Sequence, residues 1–360
     1  MIDLCKRLHI YFLDVYANGC IKEEKMGVTI KDIAKQVGVS PSTVSRVING
    51  NQLISEETRN RIQKAMAELN YHPNSRARNL ANGRTNMIAL AIDADDENTF
   101  SNNFFNRSVY AIEKVVQNKG YNLLITNDMD AAGSSISSLV YEKRVDGLIL
   151  PSSSVREGLL DLLAAENCPY VVLGEPAIYS DLLTWVDVDN EKGSRMAVAH
   201  LQQQGYGRVV LVVENTTTVF SCKRRDGYLK ALEGQQPPEV IECGSDYSLL
   251  RSRIPEAVKE KGADAFLCSN NVIAYHVMKA LKEKKIRIPE EVGIITFDDH
   301  PFAAYMDPPL TAVDVDTYRL GKRAAELLIG KIQKEITDKR AELIDTAVIF
   351  RESSTKEGAI

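Results

Sequence analysis

Five residues along one short stretch carry the clearest chemistry in this chain: Ser42, Thr43, Ser45, Arg46 and Asn49. Hydroxyls, an amide and a guanidinium are the groups that hydrogen-bond to base edges and phosphates. Two helices must hold them. Ile30, Ile33, Ala34 and Val37 recur at helical spacing, and Gly38 closes that helix with a tight turn. Ser40 then caps a second helix, Pro41 takes its first position, and Val44, Val47 and Ile48 face inward. Short helices joined by a glycine turn form a helix-turn-helix, whose second helix enters the DNA major groove. On this reading Ser42 and Arg46 meet base edges, with Arg46 preferring guanine by bidentate geometry. Thr29, Thr43, Ser45, Asn49 and Tyr71 are assigned to phosphate, which positions the module without specifying sequence.

Neighbouring residues strengthen that reading. Ser55-Glu56-Glu57-Thr58 opens a third helix with a serine cap and an acidic first turn, and Ile62, Ala65, Met66 and Leu69 form its apolar face. Charge is distributed to match. Residues 26–84 hold nine Lys or Arg against four Asp or Glu, while residues 1–25 hold four of each. The net charge is −5, so residues 85–360 carry −10. A small basic module on a large acidic body is expected when only the module meets phosphate.

Beyond Thr85 short apolar runs alternate with helical stretches. Strands are predicted at 87–92, 121–126, 146–150 and 170–173, then at 209–213, 240–242, 265–269 and 292–297. Helices fall between them, including 190–204, 224–233 and 272–285. This rhythm implies parallel sheets covered on both faces, in two similar sets divided near residues 186–190. Ligands in such sheets sit at the carboxyl ends of strands. Polar and aromatic residues there can hold a polyol: Asp93 after the first strand, Phe104 beyond it, Arg224, Tyr247, Asn270 and Asp298.

Residues 28–49, the Tyr71-His72-Pro73-Asn74 turn, the following Ser75-Arg76-Ala77-Arg78-Asn79-Leu80-Ala81 and the late Arg351-Glu352-Ser353-Ser354 resemble LacI-type transcriptional regulators. That resemblance implies a small all-α helix-turn-helix head over 26–73, which includes Ser40 and Pro41 in the DNA-binding set. It implies a hinge helix and linker over 74–85, with Asn74, Ala77, Arg78 and Leu80 on DNA. Leu80 would wedge into a minor-groove step, although a plain linker fits residues 75–81 too. The body, 86–354, would be two doubly wound lobes of the periplasmic-binding-protein-like type I kind. Lobe one would comprise 86–187 plus 313–345, and lobe two 188–312 plus 346–354. Arg224, Asn270 and Asp298 match positions that hold the effector, and Tyr247 matches a pocket aromatic.

The resemblance also implies a homodimer on a near-palindromic operator and a small-molecule effector. Asn270-Asn271 and Gly174-Glu175 depart from the family's usual Asn-Asp and Asp-Arg at these places. Residues 101–105 and 141–147 look most like maltose-operon repressors, which points to maltose or another α-glucoside.

Other classes fit poorly. The chain has no GxGxxG after a strand, no P-loop, no G-x-S-x-G elbow and no metal spacing among its five histidines, so neither catalysis nor a cofactor is expected. A two-lobe sugar-binding protein without a DNA role is the alternative, but it would need an export signal and would lack residues 28–84. Six scattered cysteines, with no CxxC pair, fit a reducing cytoplasm. No membrane-spanning run is present. Residues 1–25 are expected to be a disordered upstream extension ahead of Met26.

Overall fold

A computed structural model describes residues 28–48, 50–51, 53–71, 84–92, 103–127, 134–338 and 340–356. The expected extension at 1–25, and Asn49, Asn74, Ala77, Arg78, Leu80 and Asp93, lie outside these residues, as does the side chain of Phe104. The chain divides after Asn82 into two compact units, a head and a body.

In the head, α1 (Ile30–Val37), α2 (Pro41–Ile48) and α3 (Glu56–Glu68) enclose Ile33, Ala34, Val37, Val44, Val47, Ile62 and Ala65. Burying a side chain such as Ile33 or Ile62 contributes about 1.5–3 kcal/mol, so this small core depends on nearly every member. Each turn has its own chemical cause. Gly38 takes a left-handed φ of 74° at the end of α1, which a side chain would resist. Arg61 of α3 donates to the Val37 carbonyl (2.6 Å), satisfying one of the carbonyls left open there.

The body contains two six-stranded sheets. Strands β1 (Met87–Ile92), β2 (Asn122–Asn127), β3 (Gly147–Pro151), β4 (Tyr170–Leu173), β5 (Trp185–Val188) and β11 (Ala341–Ile344) form the first, in the order β11-β5-β4-β3-β1-β2. The second holds β6 (Val209–Val213), β7 (Val240–Glu242), β8 (Ala265–Cys268), β9 (Gly293–Phe297), β10 (Thr311–Asp314) and β12 (Ala347–Ile349), in the order β12-β10-β9-β8-β6-β7. Every pairing is parallel except β10 with β12, which run antiparallel at one edge. Central strands such as β6 and β9 are buried along their whole length, as continuous Val and Ile runs require of a sheet covered on both faces.

The helices between strands are α4 (Asn103–Asn118), α5 (Ser134–Tyr141) and α6 (Glu157–Ala165) in the first lobe. Those of the second are α7 (Asn190–Gln203), α8 (Val219–Leu232), α9 (Leu250–Lys261) and α10 (Asn271–Glu283). A last helix, α11 (Thr317–Ile332), packs on α4 and on the first sheet. The chain therefore crosses between lobes three times: from β5 to α7, from β10 to α11, and from β11 to β12.

Two expectations need correction. Strand β10 belongs entirely to the second sheet, so the chain returns to the first lobe after Asp314 rather than at residue 313. Helix α8 starts at Val219, capped by Thr218, which places Arg224 in its second turn rather than at its start. Apolar and polar residues follow no single stripe along α8, so its first turn was invisible to a periodicity argument. Among the described residues no helix is long and apolar enough to cross a membrane.

Candidate effector site and nucleic-acid interface

On the head, the Ser40 hydroxyl accepts the Thr43 N–H (3.1 Å) and shares hydrogen bonds with the hydroxyls of Ser42 (2.7 Å) and Thr43 (2.8 Å). This network fixes the start of α2, with Pro41 pre-set for the first turn. Ser42 and Arg46 are exposed, while Thr43 and Ser45 are half-buried. One turn of helix separates Ser42 from Arg46, so the two project from the same face.

One of the expected phosphate contacts is already engaged. Thr29 donates both its N–H (2.8 Å) and its hydroxyl (2.7 Å) to Asp32, which holds that carboxyl below the usual range. Its oxygen remains available only as an acceptor, so a phosphate contact there requires exchange. Tyr71 is half-buried against the head core, and its N–H bonds to the Met66 carbonyl at 2.8 Å.

In the body, Arg224 is the organising group. It is 4% exposed. Its Nε donates to Asn190 Oδ1 (2.8 Å), and its Nη1 donates to the Ser269 carbonyl at the end of β8. Nη2 lies 3.7 Å from Asp298 Oδ1, and the guanidinium sits 4.0 Å from the Phe297 ring centroid and 5.3 Å from that of Phe220. Cation–π contact and fixed carbonyls take the place of water around the charge.

Asp298 ends β9 with a left-handed φ of 68°, which turns its carboxylate back toward Arg224. Burial raises its pKa, against the pull of Arg224, and burial lowers that of Arg224. The Asp298 Oδ1 atom is buried and has no hydrogen-bond partner among the described residues. An acceptor left in that state costs about 1–3 kcal/mol unless a donor reaches it, which marks it as a place for a ligand hydroxyl.

Asp187 closes the other side. It accepts the N–H groups of Glu175 (2.9 Å) and Val188 (2.7 Å), and burial raises its pKa. The structure thus brings Arg224 and Asp298 together, with Asn190, Asp187, Phe220 and Phe297 beside them. The lobe division near 186–190 pointed to Asp187 and Asn190 only as a boundary, because the contact of Asn190 with Arg224 depends on how α7 meets α8, and Asp187 lies on β5 of the other lobe.

Asn270 is less free than expected. Its Oδ1 caps α10 by accepting the Ile273 N–H (2.9 Å), leaving the amide hydrogens for other work. Tyr247 stacks on His276 at 5.0 Å and packs against the core beneath α9 and α10. Arg224's own partners, Asn190, Ser269, Asp298, Phe220 and Phe297, are different groups.

Comparison with known proteins fits both units. A family described as bacterial regulatory proteins, lacI family, matches residues 29–74, and a periplasmic binding protein-like domain matches 198–354. The transcriptional regulator MalR of Staphylococcus xylosus is 30% identical over 332 residues, covering 91% of this chain and 98% of MalR. A lac repressor dimer solved with operator and the anti-inducer ONPF is 25% identical, with TM-score 0.75, covering 91% of this chain and 99% of the other. A CelR–cellobiose complex is 26% identical with TM-score 0.66, over the same shares. With a recognition helix in the head, a two-lobe sensor as the body and a relative this similar along nearly its whole length, the chain is a DNA-binding transcriptional regulator of the LacI family.

Proposed function

We propose that this regulator is a cytoplasmic homodimeric repressor of a carbohydrate-utilisation operon, with maltose or another α-glucoside as its effector. The observation that carries the ligand reading is the Arg224–Asp298 pair, held beside Asn190 at the carboxyl edge of the second sheet. Fixed donors and acceptors beside the rings of Phe220 and Phe297 suit a sugar, whose C–H faces stack and whose hydroxyls pair. MalR and the cellobiose-bound CelR give the same direction by similarity. Asn270, through its amide hydrogens, extends the polar wall, and Asp93 and Phe104 would complete it from the first lobe.

Residues 26–73 would serve as the DNA-binding domain and 74–85 as the hinge, with 86–354 as sensor and dimerisation domain. Ser42 and Arg46 contact base edges, and Thr43, Ser45, Asn49 and Tyr71 contact phosphate. Leu80, preceded by Ala77 and Arg78, would wedge into the operator centre. Closing the lobes shifts the populations that permit or unfold the hinge.

Titration calorimetry against a sugar panel including maltose tests this, followed by operator affinity at fixed salt with and without any hit. A sugar that binds and changes operator affinity supports the reading. Intact operator binding without any sugar binding overturns the carbohydrate assignment and points to a nucleotide, phosphorylated or protein effector.

A further inference from the structure

Glu175 and Lys223 stand on opposite lobes of the body. Glu175 follows β4 through Gly174, whose φ is 92° and where a Cβ would stand 2.9 Å from Ser152 Oγ. Its N–H is tied to Asp187 Oδ2 (2.9 Å), so its backbone is anchored to the carboxyl edge of the first sheet. Lys223 is the residue before Arg224 on α8 of the second lobe. Its Nζ lies 3.2 Å from Glu175 Oε1, with the Glu175 side chain 19% exposed and that of Lys223 42%.

Among the described residues the other ion pairs of the body differ in one respect. They join groups within a lobe, or, like Lys192 and Asp345 at 2.8 Å, they sit beside a crossing strand. A pair at the crossings moves little when the lobes rotate about them. A pair at the cleft must separate. Because Glu175 is largely out of water, its attraction to Lys223 is screened less than that of a fully exposed pair.

We propose that Glu175 and Lys223 form a latch across the cleft, which favours the closed arrangement of the lobes and so sets how strongly an effector must bind to shift them. The consequence for induction rests on the reading of this cleft as the effector site. The latch itself is a property of the two lobes. Departure from the family's usual Asp-Arg at Gly174-Glu175 then has a mechanical meaning: the acidic residue finds its partner on the opposite lobe. An ion pair of this exposure changes a two-state equilibrium by about two- to fivefold.

The test uses the full-length protein without added sugar. Ser153 and Ser245, exposed residues beyond β3 and β7, are replaced by p-acetylphenylalanine and coupled to spin labels or dyes. Labelled chains are mixed with excess unlabelled chain so that only distances within one chain are read. The wild type is expected to open as salt rises from about 0.05 M to about 1 M. Glu175→Gln and Lys223→Gln should show an open-to-closed ratio about two- to fivefold larger already at low salt, and respond less to added salt. Lys223→Arg, which keeps the charge, should behave as wild type, and the exchange E175K/K223E should recover closure.

Either glutamine variant, if folded, carries the test alone. Glutamine variants that match the wild-type distance and salt response overturn the latch. So does a salt-independent distance in the wild type. Calorimetry with the sugar panel is a separate readout: failure to bind any sugar removes the carbohydrate assignment but leaves the distance result intact.

Discussion

Gly227 of α8 rests on the backbone of Glu191 in α7, so closely that a Cβ on it would stand 2.2 Å from the Glu191 carbonyl oxygen. No side chain can flex aside there, because the obstacle is main chain. The same contact brings the neighbouring residues into register. Asn190 precedes Glu191, Arg224 lies three residues before Gly227, and the two meet at 2.8 Å. Closeness of two helices therefore positions the central group of the candidate effector site.

Gly227→Ala is expected to push α8 away from α7 and to destabilise the body by about 1–3 kcal/mol, as overpacked cores do. Effector affinity should fall with it, since Arg224 would lose its reach to Asn190. Urea denaturation with calorimetry on the same sample checks both. Wild-type stability with wild-type affinity would refute the positioning role.

Arg224→Met should abolish effector binding and leave Asp298 without its counter-charge. Breaking a buried pair from one side costs about 3–5 kcal/mol, so a lowered denaturation midpoint should accompany the lost binding. Asp298→Asn is the gentler companion. Asparagine tolerates the left-handed backbone at φ 68°, so this variant should lose affinity with a smaller stability loss than Asp298→Ala.

Arg46 is exposed on α2, so Arg46→Ala should leave the melting of the head unchanged. Operator affinity should drop by about 1–3 kcal/mol, with discrimination relaxed at one base pair of each half-site. Selection from randomised operators reads the second effect. An unaltered base preference would move Arg46 to the phosphate group of contacts.

His200 predicts an acid-side weakness. Its Nε2 lies 2.9 Å from Ser354 Oγ, which itself donates to Thr311 Oγ1 (2.7 Å), so the ring nitrogen carries the hydrogen. Burial lowers the imidazole pKa below its ordinary 6.5, outweighing the Ser354 contact. Above that pH both folded and unfolded chains are neutral here, and His200 adds no pH dependence. Below it the unfolded chain takes up a proton that the folded chain resists, so stability falls as pH drops from 6.5 toward the folded pKa. Denaturation midpoints at about pH 7.5 and about pH 5.5 should diverge more for wild type than for His200→Gln.

The recognition helix was legible because everything that makes it is local. Ser40, Pro41 and the spacing of Val44 and Val47 fix α2 within a few residues, and the outward face follows from the same period. Eight of the strands were legible for a similar reason, since unbroken apolar runs have few other uses, whereas β5, β10, β11 and β12, beside the lobe crossings, were not read as strands. Arg224, Asn270 and Asp298 were found by resemblance, whereas their present engagements were not. Asn270 turned out to cap a helix, and Tyr247 to stack on His276.

What the chain order alone determined, then, is a basic three-helix head and an acidic body of alternating strands and helices. Tertiary structure decided the rest. Asn190, Arg224 and Asp298 come from three separate segments and meet only because α7 and α8 pack at a glycine and β9 ends in a left-handed turn. Glu175 meets Lys223 only because the chain passes from lobe to lobe three times and folds one against the other. Such meetings depend on packing between distant segments, and spacing along the sequence records only what neighbours do to one another.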